Sequence, residues 1–207
     1  MCIRDRYRSY AALAESYSAI PSPFLAITHG VSAVGKSHVA MRLVEALGTI
    51  RLRSDVERKR LFGEQNAETR DQLTAGIYST EASQATYLRL HQLARQVLQA
   101  GFPVVIDATY LKAAQRLAAS EVAEETGVPL LILDCHAPEA VIASWLAQRQ
   151  SEGQDPSDAT LEVIQAQHAS REPLDEQELS HSKRVDTHDS ASLDSLVERI
   201  RQRLPGI

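Results

Sequence analysis

The chain contains the segment Gly30-Val31-Ser32-Ala33-Val34-Gly35-Lys36-Ser37, an uninterrupted G-x-x-x-x-G-K-S pattern. It follows an apolar, strand-like run at 24–28 and precedes a helical stretch that Gly48 ends. A loop that binds phosphate requires this context, a strand before it and a helix after it. We therefore expect its backbone N–H groups to bind the β- and γ-phosphates of a nucleotide. Lys36 would add a positive charge, and Ser37 would offer its hydroxyl to Mg²⁺.

The composition is that of a single soluble globular domain. The chain has 207 residues, of which 43% are hydrophobic and 24% are charged. Its net charge of −5 disfavours general nucleic-acid binding, because neutralisation of phosphates dominates that affinity. Cys2 and Cys135 lie far apart, and no apolar run is long enough to span a membrane. We expect a cytoplasmic protein without disulfides and without a membrane partner.

Residues 1–20 fit poorly with the rest of the chain. Met1–Arg6 resembles a translated sequencing-adapter scar, and Tyr7–Ala19 has the pattern of a helix. Pro21 and Pro23 then interrupt the chain before the first strand. Two interpretations stay open: a remnant or linker helix of a truncated fusion protein, or a native helix that frays at the N-terminus. In both, the functional domain is expected at residues 21–207.

Apolar runs and helical periodicity alternate along that domain. Strands are expected at 24–28, 49–53, 102–106, 130–133 and 183–185. Helices are expected at 37–47, 56–61, 79–99, 112–125, 138–150, 161–170 and 193–204, with polar, irregular segments at 62–78 and 151–159. The alternation predicts an α/β fold whose parallel sheet is covered by helices on both faces.

Three classes of nucleotide enzyme are disfavoured because the sequence lacks the motif residues that characterise them. The Asn-Lys-x-Asp segment with which GTPases read guanine is missing, since the single asparagine is Asn66. Asp107 is not followed by the glutamate that activates water in oligomeric ATPases. Lys36 and Ser37 are adjacent, whereas adenylate kinases have a glycine between them. Two functions remain for the chain: phosphoryl transfer to a bound hydroxyl, or nucleotide binding without a chemical reaction.

Two aspartates end predicted strands, where a parallel sheet places its ligands. Asp55 would face the γ-phosphate and accept the proton of an attacking hydroxyl, and Arg58, one helical turn later, would clamp substrate or transition-state charge. Asp107 would hold Mg²⁺ through water, on the same side as Ser37. The alternative for both aspartates is a capping or turn role.

Three segments together resemble the small P-loop kinases grouped around phage polynucleotide kinase, zeta toxins, adenylylsulfate kinase, gluconate kinase and chloramphenicol phosphotransferase. They are Gly30–Ser37, Arg53–Arg58 and Ile106–Thr109. The chain is most similar to the predicted kinase domains found fused behind an aminoglycoside-phosphotransferase-like domain, over about residues 22–203. In this group Asp-x-x-Arg, here Asp55 and Arg58, marks the site of the hydroxyl acceptor.

The resemblance implies a three-layer α/β/α P-loop NTPase fold with strand order 2-3-1-4-5 and a small mobile lid. It also implies ATP and Mg²⁺ as cofactors, a small hydroxyl-bearing substrate, and a possible fused or associated phosphotransferase-like domain. The lid would be Arg149–Ala159, closing a basic residue over the phosphates. Arg149 is the candidate, because it is the only lysine or arginine between Pro138 and Arg171. An ordinary surface arginine at a helix end is the alternative.

Other polar residues receive structural interpretations. Lys59, Arg60 and Arg116 are expected on solvated helix faces more than on a polyanionic substrate. The histidines lack the spacing of metal ligands, and His29, beside the loop, is expected to be a buried or hydrogen-bonding residue.

The sequence thus predicts an ATP- and Mg²⁺-dependent kinase acting on a hydroxyl of a small molecule or a nucleic-acid end. A regulatory ATP-binding module of a larger fusion protein is the first alternative. Nucleic-acid end processing through Arg51, Arg53, Arg58, Lys59 and Arg60 is the second, and the acidic net charge disfavours it.

Overall fold

The computed structural model describes residues 3–18, 22–62, 79–152 and 161–203. The strands in these ranges are Leu25–His29 (β1), Ile50–Arg53 (β2), Val104–Asp107 (β3), Leu130–His136 (β4) and Ser182–Asp186 (β5). The helices in them are Ile3–Ser18 (α1), Lys36–Leu47 (α2), Ser54–Phe62 (α3), Thr80–Gln99 (α4), Ala113–Thr126 (α5), Glu139–Glu152 (α6), Leu161–Ser170 (α7), Glu176–Ser180 (α8) and Ser190–Arg203 (α9).

The strands form one parallel sheet in the order β2-β3-β1-β4-β5. This confirms the order that the resemblance implied. β1 is central, with Ile27 opposite Ile106 of β3 and Ile132 of β4. The chain passes from β1 to β2 on one side of β1, and later from β3 past β1 to β4 on the other side. This reversal opens a crevice at the carboxyl ends of the strands.

Helices cover both faces of the sheet, as expected. Neighbouring side chains of β1 enter opposite clusters: Ala26 packs on one face and Leu25 and Ile27 on the other. Burial on both faces explains why the central strands are continuous apolar runs. The first cluster includes Val39, Leu43, Leu193, Val197 and Ile200 from α2 and α9, and the second includes Leu90, Ala94, Ala119 and Val122 from α4 and α5.

Local signals set most helix boundaries. The Ser79 hydroxyl accepts the Ala82 N–H at 3.1 Å and caps α4. Gly48 and Gly127, with φ of +63° and +67°, end α2 and α5. Within the described ranges no helix is long and apolar enough to cross a bilayer.

Some boundaries differ from the prediction. β3 begins at Val104 rather than Phe102, since Pro103 has no N–H to donate to a neighbouring strand. α6 continues to Glu152, so residues 151–152 are helical and not part of a loop. The short helix α8 was not predicted, although Asp175 and Glu178 form a capping box at its start. Residues 63–78 and 153–160, which include most of the predicted lid loop, lie outside the described residues.

The N-terminal helix forms as expected, over residues 3–18. Its residues 4–13 are all exposed, with Tyr7 at 72% and Tyr10 at 65%. Whether it is the remnant of another domain, and whether the functional domain begins at Pro21, stay predictions.

Arg116 was expected on a solvated face, and this expectation is wrong. The side chain is 1% exposed and donates to the carbonyls of Tyr110 (3.1 Å) and Pro173 (3.0 Å). Its guanidinium also pairs with Glu178, at 2.6 and 3.0 Å. These contacts fasten the segment between α7 and α8 to the sheet. The signal in the sequence is helical spacing, because Arg116 shares a face of α5 with the buried Ala119.

We predict that Arg116→Met lowers the free energy of unfolding by about 3 kcal/mol, because Glu178 and several carbonyls lose their donor. Urea denaturation measures this loss. Lys112→Met is the control, since Lys112 is exposed and pairs with Glu172 of the same segment. It should cost less than about 1 kcal/mol. Equal losses in the two variants would show that Arg116 has no special structural role.

Candidate active site

The loop 30–37 lies between the carboxyl end of β1 and the first turn of α2, and its backbone requires glycine. Gly35 has φ +89°, and a Cβ there would lie 2.8 Å from the Thr187 side chain. Ala33 also has a positive φ, of +62°. That conformation costs a non-glycine residue about 1–2 kcal/mol. The strain is therefore located in the loop that we expect to bind phosphate.

Distant side chains hold the loop in place. The Thr187 hydroxyl, just after β5, donates to the Val34 carbonyl at 2.6 Å. Gln167 of α7 contacts Ser32 twice: its carboxamide oxygen accepts the Ser32 N–H at 2.6 Å, and its nitrogen donates to the Ser32 hydroxyl at 3.0 Å. No pattern in the sequence pointed to Thr187 or Gln167, because each is more than 130 positions from its partner.

Lys36 is buried at the start of α2, and its Nζ donates to the Val31 carbonyl at 2.6 Å. It faces a cavity of about 90 Å³ at the carboxyl ends of β1, β2 and β3. Most of the predicted nucleotide and acceptor residues meet in this cavity. Its walls are Ser32, Ala33, Gly35, Lys36, Ser37, Arg53, Ser54, Asp55, Asp107, Ala108 and Thr109.

Ser37 and Asp107 come together as the metal prediction requires. The Ser37 hydroxyl donates to Oδ2 of Asp107 at 2.8 Å, and the Asp107 carboxylate is 6% exposed at the end of β3. Arg51 of β2 forms an ion pair with the same oxygen, a contact the sequence analysis did not foresee. Hydroxyl and carboxylate oxygens suit Mg²⁺, so these two residues fit the ion. The described ranges hold no cluster of three or more His, Cys, Asp or Glu, so phosphate oxygens and water would complete the coordination.

Asp55 lies in the first turn of α3, directly after β2. Arg53 donates two hydrogen bonds to the Asp55 carboxylate, from Nε to Oδ1 at 3.1 Å and from Nη2 to Oδ2 at 2.5 Å. Oδ1 also accepts the Val56 N–H at 2.9 Å. Asp55 therefore has a local backbone contact and also lines the cavity with Lys36 and Asp107. Its contact is with the next residue and not with the N–H two or three positions on that an N-cap residue binds.

Four predicted site residues do not line the cavity: Gly30, Val31, Val34 and Arg58. Arg58 lies at the contact between α3 and α4, where its Nη1 is 3.4 Å from the Ser83 hydroxyl. Arg149 is in the last turn of α6, and its side chain falls outside the described part of the structure. The lid role of Arg149 therefore stays a prediction.

His29, the last residue of β1, is a buried hydrogen-bonding residue, as expected. Its Nε2 accepts from Nε of Arg171 at 3.1 Å, so the proton is on Nδ1, which donates to the Tyr110 carbonyl at 3.0 Å. Arg171 also pairs with Asp134 at 2.9 Å. Burial, and then the Arg171 charge, lower the pKa of His29 to about 4. His29 is thus neutral near pH 7 and anchors the start of the loop.

The lowered pKa of His29 predicts a loss of stability in acid. The pKa of His29 in the folded protein lies below the usual 6.5. The contribution of His29 to the free energy of unfolding is therefore complete above pH 6.5 and is lost as the pH falls towards 4. We expect His29→Gln to reduce the pH dependence of the unfolding free energy by about 1.4 kcal/mol per pH unit in that window. Urea denaturation at several pH values measures it. An unchanged slope in His29→Gln would refute the assignment.

The fold and the loop together define a P-loop NTPase: a parallel sheet in the order β2-β3-β1-β4-β5 with a G-x-x-x-x-G-K-S loop after β1. The AAA domain family AAA_33 matches residues 25–174, and the chain belongs to this family. No curated protein has significant sequence similarity to it.

Solved structures share the fold over nearly their whole length. A sugar kinase from Janibacter sp. HTCC2649 has a TM-score of 0.64 and 19% identity, covering 90% of this chain and 97% of its own. The APS kinase of Mycobacterium tuberculosis, in complex with AMPPNP and APS, has a TM-score of 0.59 and 19% identity, covering 88% of this chain and 97% of its own. A gluconokinase from Sinorhizobium meliloti 1021 has a TM-score of 0.57 and 22% identity, covering 88% of this chain and 98% of its own. At these identities the likeness shows the fold alone.

Proposed function

We propose that this protein is an ATP- and Mg²⁺-dependent kinase that transfers the γ-phosphoryl group to a hydroxyl of a small acceptor. The observation that carries the proposal is the meeting of Lys36, Ser37, Asp55 and Asp107 in one cavity. A module that only binds nucleotide needs the loop but has no need of a carboxylate such as Asp55 on the acceptor side. Kinases with the same fold, among them one solved with AMPPNP and APS, support the same class of reaction.

In this proposal the loop N–H groups and Lys36 bind the β- and γ-phosphates. Ser37 and Asp107 hold Mg²⁺, which neutralises charge on the phosphates when bound. The acceptor hydroxyl oxygen forms the new bond to the γ-phosphorus as the bond to the β,γ-bridging oxygen breaks, leaving its electron pair on ADP. Asp55 accepts the hydroxyl proton.

Two arginines complete the proposed mechanism. Arg58 compensates charge on the acceptor or the transferred group, after a movement from its contact with Ser83. Arg149 closes over the phosphates with the lid. A fused or associated phosphotransferase-like domain and a cytoplasmic location are proposed from the sequence alone.

Nucleic-acid end processing has less support. Of the five basic residues that would form its groove, Arg51 and Arg53 pair with the carboxylates of the cavity, and Arg60 pairs with Glu57. A small acceptor that enters the cavity accords better with these contacts than a basic groove does.

Lys36→Ala should weaken binding of ATP–Mg²⁺ by about tenfold or more, or abolish transfer, because a charge-assisted contact to the phosphates is lost. Calorimetry measures the affinity, and the thermal unfolding midpoint shows whether the fold is retained. Lys112→Ala, which removes an exposed lysine away from the loop, is the matched control. If Lys36→Ala binds ATP as tightly as the control and transfers at the same rate, the assignment of the loop is wrong.

Asp55→Asn should retain ATP binding and lower phosphoryl transfer by roughly 10²–10⁴-fold, the usual contribution of a general base. The assay is transfer from labelled ATP to a broad set of hydroxyl compounds. Asp194→Asn is the control, since Asp194 is exposed and pairs with Arg42. Full activity of Asp55→Asn would remove Asp55 from catalysis. A wild type that binds ATP but phosphorylates nothing would favour the regulatory module.

A further inference from the structure

Arg53 holds the carboxylate that the proposed function uses as the base. The two form a fork-to-fork pair, and the Val56 N–H occupies Oδ1 as well. Arg53 and Val56 thus occupy both oxygens of the carboxylate. With Arg53 in this position, an acceptor hydroxyl has to compete with the guanidinium for a hydrogen bond to Asp55. Release of Arg53 would open the carboxylate to that hydroxyl.

Arg53 is placed where an acceptor can reach it. Its side chain is 31% exposed and lines the cavity beside Lys36 and Asp107. The pair with Asp55 uses two of the five N–H donors of the guanidinium. Bound nucleotide would engage Lys36, and the metal would engage Asp107. Arg53 is the cation of this wall that would remain for the acceptor.

We infer that the acceptor is a small hydroxyl compound carrying an anionic group, and that this group takes Arg53 from Asp55. Phosphate, sulfate and carboxylate groups all accept the two parallel hydrogen bonds that Asp55 accepts now. The inference rests on the proposed function. It couples recognition to chemistry, because Asp55 becomes free to accept a proton only when the anionic acceptor is bound. A neutral hydroxyl compound, or water, would leave the pair intact.

The exchange predicts opposite effects in two variants. Arg53→Gln removes the anion site, so anions should bind more weakly. Asp55→Asn removes the competing carboxylate, so anions should bind Arg53 more tightly than in the wild type. If the pair only stabilised the fold, the two variants would not change the anion affinity in opposite directions. Arg60→Gln is the matched control, since Arg60 lies in α3, the helix that contains Asp55, and pairs with Glu57 away from the cavity.

The first experiment does not depend on activity. The protein is saturated with AMPPNP and Mg²⁺, which fills the phosphate loop, and inorganic sulfate is titrated while arginine Nε–H resonances are followed by NMR. We expect sulfate affinity to fall by about tenfold in Arg53→Gln, to rise several-fold in Asp55→Asn and to be unchanged in Arg60→Gln. Equal sulfate affinity in the wild type and Arg53→Gln, or no sulfate binding by the wild type, would overturn the inference.

The second experiment compares acceptors that differ in one charge: glycerol with glycerol 3-phosphate, glucose with gluconate, and a nucleoside with its 3′-monophosphate. The wild type should favour the anionic member in kcat/KM, and Arg53→Gln should lose this preference. Transfer to neutral acceptors that is insensitive to Arg53→Gln would refute the inference and leave the kinase proposal standing. Arg53-dependent sulfate binding without transfer to any acceptor would support the anion site and count against kinase activity.

Discussion

The pairing of β1 with β3 on one side and β4 on the other determines where every functional side chain lies. Because all pairs are parallel, the loop after β1 and the residues that end β2 and β3 emerge at one edge of the sheet. Asp55 and Asp107 are 52 positions apart in sequence but line the same cavity as Lys36. The apolar clusters on both faces fix this arrangement, since a slip of one residue in β1 would exchange Ala26 with Ile27 between the two clusters.

The loop 30–37, at this edge of the sheet, adopts a strained backbone. Side chains from outside the glycine-containing motif hold it in that conformation. Thr187 lies just after β5, Gln167 lies in α7 and His29 ends β1, and each fixes one part of the loop or its entry. α7 thus touches the loop through Gln167, and Arg171, one turn later, binds His29. Arg116 fastens the segment that follows α7. The helix that follows the predicted lid, α7, is thereby joined to the loop by direct hydrogen bonds from Gln167, and the segment after it is held through Arg171 and Arg116.

Short-range patterns in the sequence predicted the layers of the fold, the loop and the two aspartates. Those features depend on apolar periodicity, on glycine and on the position of Asp at a strand end, all of which are local. The strand order came from resemblance, because periodicity contains no information on which strands are neighbours. The pairing of Arg51 with Asp107 and the burial of Arg116 depend on side chains brought together by the sheet. A charged residue type is the same whether its side chain is solvated or paired inside, so the partner of Arg51 could not be predicted from pattern. For the burial of Arg116 the signal was its helical spacing from Ala119.

The charges of the cavity explain why β2 carries two arginines. Arg51 and Arg53, two positions apart, lie on the same side of the strand, and each binds one of the aspartates to which we assign a role in the proposed reaction. The charged residues that line the cavity are Lys36, Arg53, Asp55 and Asp107, and their charges cancel; Arg51, which binds Asp107 from beside the wall, brings the net charge to +1. Without the two arginines the net charge would be −1, and phosphates would meet a negative, partly buried site. The same arginines that make the aspartates compatible with phosphate also occupy their oxygens. A ligand that takes over an arginine therefore neutralises the charge of that arginine and frees the oxygens of the aspartate that the arginine leaves.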